Sequence, residues 1–243
     1  MNNELFNNAL ADLYEKEMSY SLLNYAGVPC SKEGGPANPL LISPPNDYAA
    51  STLKVMYFGK ETNGYEGSFR ESKGVQHLMR IYDAFANQGG ARKYGKHFWN
   101  AVSKFNSAFS KVDRSISFTW NNVIKVGKDW SMGMPPESVV KWQQNWFRVI
   151  RKEIEILKPD IVIFMSGPHY DKFIEGIFGP LTLVKVGSRP ERQLARIANC
   201  NLPPASFRTY HPNYLWRNGF YGYLTEIVSE SCLQIGTARK TIY

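Results

Sequence analysis

The spacing of apolar residues along the chain alternates between runs typical of buried strands and stripes typical of helices. Short apolar runs at 52–59, 116–126, 160–167 and 205–210 predict four strands. Three of these runs are too apolar to have a face in water, and helical stripes separate them in sequence. Because the helices that connect parallel strands cover both faces of a sheet, this alternation predicts a buried parallel sheet.

Other segments carry apolar residues at helical spacing. Their stripes lie at residues 5–22, 75–85, 98–109, 139–157, 173–177 and 221–233. We expect 139–157 to form one long helix that ends at Lys158-Pro159. The run at 181–187 predicts an additional edge strand.

Together these elements predict an α/β fold with three layers, α/β/α, around a central four-stranded parallel sheet. The chain shows no internal repeat and no low-complexity linker, so we expect residues 1–243 to form a single domain. Residues 1–50 are expected to contribute an N-terminal helix and an irregular extension rich in Gly and Pro.

The charge of the chain favours an anionic partner. Lysine and arginine number 29 and aspartate and glutamate 21, which gives a formal net charge of +8. Nucleic acid is the partner that this balance suggests, and a merely basic protein without such a partner is the alternative.

The cysteines and the N-terminus indicate a compartment. Cys30, Cys200 and Cys232 are far apart and form no C-x-x-C pair, which is typical of a reduced, cytoplasmic protein without a disulfide framework, zinc site or iron–sulfur cluster. The chain begins without a basic and then apolar leader, and no apolar run approaches the roughly 20 residues that span a bilayer. We therefore expect neither export nor membrane insertion.

Polar residues follow the predicted strands where an open parallel sheet binds its ligands. Gly59–Gly64 follows the first strand, Ser166–Pro168 the third and Tyr210–Asn213 the fourth, while Asn121-Asn122 lies within the second. The histidines show no metal-binding spacing, so we expect no metal and no redox cofactor.

Three of these residues suit a hydrolytic site. Glu61, in a glycine-flanked turn, could orient or deprotonate a water, or it is a solvated loop residue. Asn122, disfavoured by propensity in a buried strand, could read the edge of a pyrimidine, or its amide bridges two loops. His211 could donate a hydrogen bond to a developing anion, or it is structural.

Apolar and basic residues beside them suit a DNA surface. Leu215 and Trp216 could wedge into a base stack while Arg217 contacts phosphate, although packing of either apolar side chain on the last helix is the alternative. Phe69 could stack on a base or belong to the core.

These residues also carry a resemblance to the uracil-DNA glycosylase superfamily over most of Leu53 to Glu230. "VMYFGKETNG" is similar to the family motif Gly-x-(Asp/Asn/Ala/Glu)-Pro-(Tyr/Gly), and "WNNVIKV" to the strand with a base-reading asparagine. "EIEILKPDIVIFMSG" resembles the helix–Lys-Pro–strand unit of the bacterial iron–sulfur branch, whose cluster cysteines are missing here. "TYHPNYLWRNGFYGY" resembles the His-Pro-Ser loop with its leucine wedge, and it is the most specific of the four.

The resemblance implies roles for single residues. Glu61 falls on the water-activating position, Asn122 on the base-reading asparagine and His211 on the histidine that stabilises the departing base. Asn63 falls where a side chain controls room at the pyrimidine 5-position, and Leu215 falls on the wedge. Phe69 matches the phenylalanine that stacks on the base.

The chain departs from the family pattern at several positions. Thr62 replaces a proline, and Asn213 and Tyr214 replace Ser-Pro or Ser-Ala. The base that is removed is therefore open, with uracil as the default.

The resemblance implies a monomeric DNA glycosylase of uracil type that flips its base out of single- or double-stranded DNA. Two alternatives stay open. One is a non-catalytic nucleic-acid or nucleotide-binding protein on the same fold. The other is an enzyme acting on a small nucleoside.

Overall fold

The strands form one mixed sheet. In a computed structural model that describes residues 3–24, 35–71, 73–94, 96–113, 115–129 and 131–240, the sheet order is β2-β1-β3-β6-β5-β4. The strands are β1 (Leu53–Glu61), β2 (Ile116–Ile124), β3 (Ile161–Phe164), β4 (Thr182–Lys185), β5 (Leu194–Ala198) and β6 (Ala205–Thr209). β2, β1, β3 and β6 run parallel, whereas β5 is antiparallel to both β6 and β4.

The α/β class is thus confirmed. The expectation of a purely parallel, four-stranded sheet is wrong, because four parallel strands are only part of a larger mixed sheet. The sheet has six strands, because β4 and β5 continue it beyond β6. β4 is the edge strand that the run at 181–187 predicted. β5 was missed because Arg196 interrupts its short apolar pattern.

Helices cover both faces of the sheet. They are α1 (Asn3–Leu23), α2 (Val75–Ala86), α3 (Gly90–Tyr94), α4 (His97–Phe109), α5 (Glu137–Trp146), α6 (Ile150–Leu157), α7 (Asp171–Phe178), α8 (Pro212–Arg217) and α9 (Phe220–Lys240). Alternate residues of β1 point to opposite faces, as the period of two requires. Met56 and Phe58 belong to a first core cluster with α1, α2 and α5–α7. Val55 and Tyr57 belong to a second core cluster with α4, α8 and α9.

Two helices differ from the expectation. The long helix at 139–157 is divided into α5 and α6, because Phe147 leaves helical geometry with φ −129° and ψ 68° and is buried together with Val149. In α1 the buried face runs through Phe6, Leu10 and Tyr14, while Leu5 is exposed.

The segment after α1 is integral to the core. Leu40, Leu41 and Ile42 are fully buried in the first core cluster although they belong to no helix or strand. The backbone N–H of Leu40 donates to the carbonyl oxygen of Lys125, just after β2, at 3.1 Å. The irregular extension therefore packs against the part of the chain that follows β2.

The end of α6 offers a test of local backbone strain. Lys158 caps this helix in the left-handed conformation, with φ 47°, immediately before Pro159. In this conformation the Cβ of a residue lies too close to the following carbonyl oxygen, and glycine has no Cβ. Lys158→Gly should therefore raise the free energy of unfolding by about 0.5–1 kcal/mol. Chemical denaturation measures it. Lys152→Gly, inside the same helix, should instead lower stability by about 1 kcal/mol, and equal effects at both positions would contradict the interpretation.

Candidate functional site

The carboxyl ends of the parallel strands bring the predicted polar residues to one edge of the sheet. β1 ends at Glu61, and Gly59 on β1 lies in register with Asn122 on β2. β6 ends at Thr209, so His211 lies two residues beyond it. An open sheet binds its ligands at this edge, which makes these side chains the candidate site.

The Asn122 side chain lies over a glycine. Asn122 is buried, and its Nδ2 donates to Thr62 Oγ1 at 3.1 Å. A Cβ added to Gly59 would come within 2.3 Å of Asn122 Oδ1 and within 3.5 Å of the Phe98 ring. Glycine at position 59 therefore provides the space that the amide occupies. In the described part of the chain, Thr62 is the hydrogen-bond partner of this side chain, so Oδ1 and one N–H remain available to a ligand.

Buried charges hold the backbone at Asn122. Its N–H donates to Asn121 Oδ1 at 2.9 Å, and the same oxygen accepts from Lys125 Nζ at 3.2 Å. Asn121 Nδ2 donates to Glu153 Oε2 at 2.8 Å, while Lys125 pairs with Glu153 Oε1. Tyr14 also donates to Glu153 Oε1, at 2.6 Å.

We call Tyr14, Asn121, Lys125 and Glu153 the buried polar network. Lys125 and Glu153 are 1% and 0% exposed. Burial lowers the pKa of Lys125, and Glu153 opposes that shift. The sequence contains a signal for this network. Lys125 lies in the apolar run 116–126 and Glu153 lies beside Ile154 on a buried helical face, and a buried charge at either position needs a partner.

His211 is held in one tautomer. It is the N-cap of α8, and its Nδ1 accepts a hydrogen bond from the backbone N–H of Asn213 at 3.3 Å. Burial, together with the nearby charges of Lys60 and His97, lowers the pKa of His211 to about 4. The ring is therefore neutral near pH 7, with its proton on Nε2. In the described residues that N–H has no protein acceptor.

Phe98 connects Asn122 with His211. Its ring lies next to Gly59 and Asn122, and its centroid is 6.2 Å from that of His211 with an interplanar angle of 26°. The sequence predicts Phe98 at the start of a helical stripe, and its apolar spacing does not predict the position beside Asn122. The one hint in the sequence is that Phe98 stands at the beginning of its helical stripe, where a side chain can reach the end of a neighbouring strand.

Glu61 is held by a tyrosine that the sequence analysis also missed. The Tyr170 hydroxyl donates to Glu61 Oε2. Burial and then the Glu61 carboxylate raise the pKa of Tyr170, so its hydroxyl stays protonated as a donor. Lys60 Nζ lies 6.0 Å from the centre of the Tyr170 ring and also acts electrostatically on His211. Lys60 thus lies between the Glu61 and His211 sides of the site.

Two substrate-binding candidates have other surroundings. Asn63 is exposed, and its Oδ1 accepts from the backbone N–H of Gly133 at 2.9 Å. Phe69 is fully buried and packs edge-on against Trp142, with ring centres 5.0 Å apart. With no exposed face, Phe69 does not fit the expected stacking on a base.

The residues after His211, which were expected to form a loop, form the helix α8. The helix determines which of the DNA-binding candidates are exposed. Leu215 is buried in the second core cluster, so it does not fit the expected wedge. Trp216 stacks on Phe220 with ring centres 4.1 Å apart, and its Nε1 donates to the His97 carbonyl oxygen at 3.2 Å. Arg217 is exposed. Tyr214, which the sequence analysis did not select, is 36% exposed and stacks on Tyr210.

The helical period explains this outcome. Residues three apart share a face, so α8 turns Pro212 and Leu215 inward while Tyr214 and Arg217 point outward. An irregular loop has no such period, so it would not have determined which of these side chains are buried.

Comparison with protein-family models and with curated proteins gives no match.

Among the described residues, no three His, Cys, Asp or Glu side chains gather as a metal site would require. Cys200 and Cys232 are free thiols, and Cys30 lies outside the described residues. No helix in the described ranges has both the length and the apolar character to cross a membrane.

The buried polar network predicts strongly coupled mutational effects. Lys125→Met leaves the Glu153 carboxylate buried without its cation, which should cost about 3–5 kcal/mol of the free energy of unfolding. The double variant Lys125→Met/Glu153→Gln should lose less than the sum of the single variants, as measured by chemical denaturation. Lys141→Met removes the exposed pair with Glu137 and serves as the control, with no measurable change expected. Additive losses at 125 and 153 would show that the two charges are independent.

The His211 ring should titrate well below an ordinary histidine. Nuclear magnetic resonance of ring-labelled protein should give a midpoint near pH 4 instead of about 6.5. Because the unfolded chain binds this proton first, the His211 contribution to stability is fully present above about pH 6.5 and is lost as pH falls towards 4. Lys60→Met should raise the midpoint, since it removes a nearby positive charge. A wild-type midpoint near 6.5 would show that the ring is solvated.

Proposed function

We propose that the chain is a DNA glycosylase that hydrolyses the N-glycosidic bond of uracil or a modified base after flipping that base out of the DNA stack. The observation that carries the proposal is the pairing, across Phe98, of the Asn122 amide with a neutral His211 whose Nε2–H is available. We further propose that β2, β1, β3 and β6 form the parallel core of a uracil-DNA glycosylase-like fold, extended by β4 and β5.

The Asn122 amide suits recognition of the base, and the His211 imidazole suits stabilisation of the negative charge on the departing base. Asn122 offers one acceptor and one donor, which matches the hydrogen-bonding edge of a pyrimidine. Negative charge builds on the base as the bond breaks, and His211 Nε2–H would donate to it. One such donor in a preorganised site contributes roughly 2.7–4 kcal/mol to transition-state stabilisation. Because His211 is already neutral, it donates without changing its protonation state near pH 7.

Glu61 suits the sugar side of the same reaction. Its carboxylate would orient the attacking water and favour the positive charge that develops on the sugar. Tyr170 fixes one carboxylate oxygen by donating to Oε2, so Oε1 is the oxygen left for the water. The tyrosine therefore positions the carboxylate that would orient the water, and this water would capture the sugar cation.

The surface beside His211 suits the DNA backbone. Arg217 and Tyr214 face outward from α8, and Lys60 adds a cation at the end of β1. Cations hold phosphates, and an exposed aromatic ring can stack on a base. Together with the net charge of +8, these groups support DNA as the partner.

A second function on the same site is binding of a nucleic acid or nucleotide without hydrolysis. The contact between Tyr170 and Glu61 favours it, because a carboxylate with one oxygen engaged by a buried hydroxyl is a weaker base. A binding protein would use Asn122 and the basic surface in the same way, and Glu61 would only stabilise the loop.

An abasic-site assay separates the two functions. Labelled oligonucleotides containing uracil, hypoxanthine or 5-substituted pyrimidines, single- and double-stranded, are incubated with the protein and then cleaved with alkali. A glycosylase should produce strand breaks, and His211→Ala and Glu61→Gln should each lower turnover by about 10²–10³-fold while DNA affinity stays within about threefold.

Two controls make the assay decisive. Glu155→Gln changes an exposed carboxylate on α6 and should leave turnover unchanged. Salt dependence of DNA affinity reports the phosphate contacts, so a steep slope without any strand breakage would establish the binding protein instead. Loss of affinity in step with turnover in the His211 and Glu61 variants would contradict their assigned roles.

A further inference from the structure

Thr62 holds the amide nitrogen of the Asn122 side chain. Asn122 Nδ2 donates to Thr62 Oγ1 at 3.1 Å, and both residues are buried. An amide that is held at its nitrogen presents its oxygen on the opposite side. The identity of the group at position 62 therefore bears on what Asn122 offers to a ligand.

The single hydroxyl proton of Thr62 is already engaged. Thr62 Oγ1 donates to the Ile124 carbonyl oxygen at 3.2 Å, and the Thr62 backbone N–H donates to the same oxygen at 3.0 Å. Because a hydroxyl has one proton, Oγ1 can only accept from Asn122. This determines that the amide nitrogen, and not its oxygen, lies against Thr62.

The backbone of Thr62 is fixed as well. A Cβ added to Gly127 would come within 1.8 Å of the Thr62 carbonyl oxygen, so the chain after β2 packs directly on it. Thr62 is thereby held through its N–H, its hydroxyl and its carbonyl. A hydrogen-bond acceptor with so little freedom can orient a neighbouring side chain.

The other end of the amide lies next to Phe98, the ring that packs on His211. Asn122 Oδ1 lies in the space above Gly59, next to Phe98, and Phe98 packs on His211. A base that receives the His211 proton on a carbonyl oxygen and meets Asn122 with the adjacent ring nitrogen would bring that nitrogen to Oδ1, while the remaining N–H of Nδ2 could donate to its next substituent. Oδ1 is an acceptor, so it favours a ring nitrogen that carries a proton.

We propose that Thr62 is a positioning residue that sets the orientation of the Asn122 amide and thereby selects bases with a protonated ring nitrogen over those with an unprotonated one. The inference rests on the proposed glycosylase function. The resemblance places a proline at this position, and proline has neither a hydroxyl nor a backbone N–H, so it could not make these contacts.

The test compares Thr62→Val, which removes the hydroxyl at nearly constant shape, with Thr62→Ser, which keeps it. Removal of uracil and of cytosine from otherwise identical oligonucleotides is measured as kcat/KM. Thr62→Val should lower the uracil-to-cytosine ratio about tenfold, the effect of one hydrogen bond, whereas Thr62→Ser should stay within about threefold of wild type. Thr119→Val, three residues before Asn122 on β2, is the matched control and should leave the ratio unchanged.

A second measurement does not depend on activity. The side-chain amide protons of Asn122, observed by nuclear magnetic resonance, should exchange with solvent slowly in wild type and Thr62→Ser and at least tenfold faster in Thr62→Val. Thermal unfolding checks that every variant is folded.

The outcomes separate the two proposals. If wild type removes no base but the exchange difference appears, the glycosylase proposal fails and Thr62 still positions Asn122. If bases are removed and neither the ratio nor the exchange rate changes in Thr62→Val, the role of Thr62 is overturned. A changed ratio in Thr119→Val of the same size would also overturn it.

Discussion

The buried ion pair between Lys125 and Glu153 is the constraint around which the rest of the site is arranged. Two charges without solvent are tolerated only when every hydrogen-bonding position around them is occupied. Asn121 and Tyr14 supply hydrogen bonds to the pair from β2 and α1, while Glu153 comes from α6. The requirement therefore fixes two helices and a strand relative to one another. Asn122, whose N–H shares the Asn121 oxygen with Lys125, takes its position from this fixed arrangement.

The site is divided between the two faces of the sheet. The Asn122 amide and His211 meet through Phe98 beside the second core cluster, whereas Glu61 is tied to Tyr170, which belongs to the first. Both halves lie at the carboxyl ends of the parallel strands. Glu61 depends on its tyrosine and Asn122 on its network, so each half is rigid before any ligand arrives. Such preorganisation is what electrostatic stabilisation of a transition state requires.

Much of the fold could be predicted because apolar spacing reports burial directly. The parallel strands and most helices followed from it, and so did the edge of the sheet at which Glu61, Asn122 and His211 lie. The failures have physical causes. Leu215 and Phe69 were chosen by position in a motif, but burial depends on which way a short helix or turn faces. Phe98 and Tyr170 reach the site through tertiary packing between distant segments, for which a single sequence carries no periodic signal.

The contact between Gly59 and Asn122 limits how this protein can diversify. The amide oxygen occupies the space that any side chain at position 59 would need, so the two positions share one volume. Enlarging residue 59 first would place two groups in one volume, and shortening residue 122 first would leave an empty gap. Directed evolution that varies one position at a time would meet a barrier here. A library that randomises 59 and 122 together would cross it, and the two positions should covary among natural relatives.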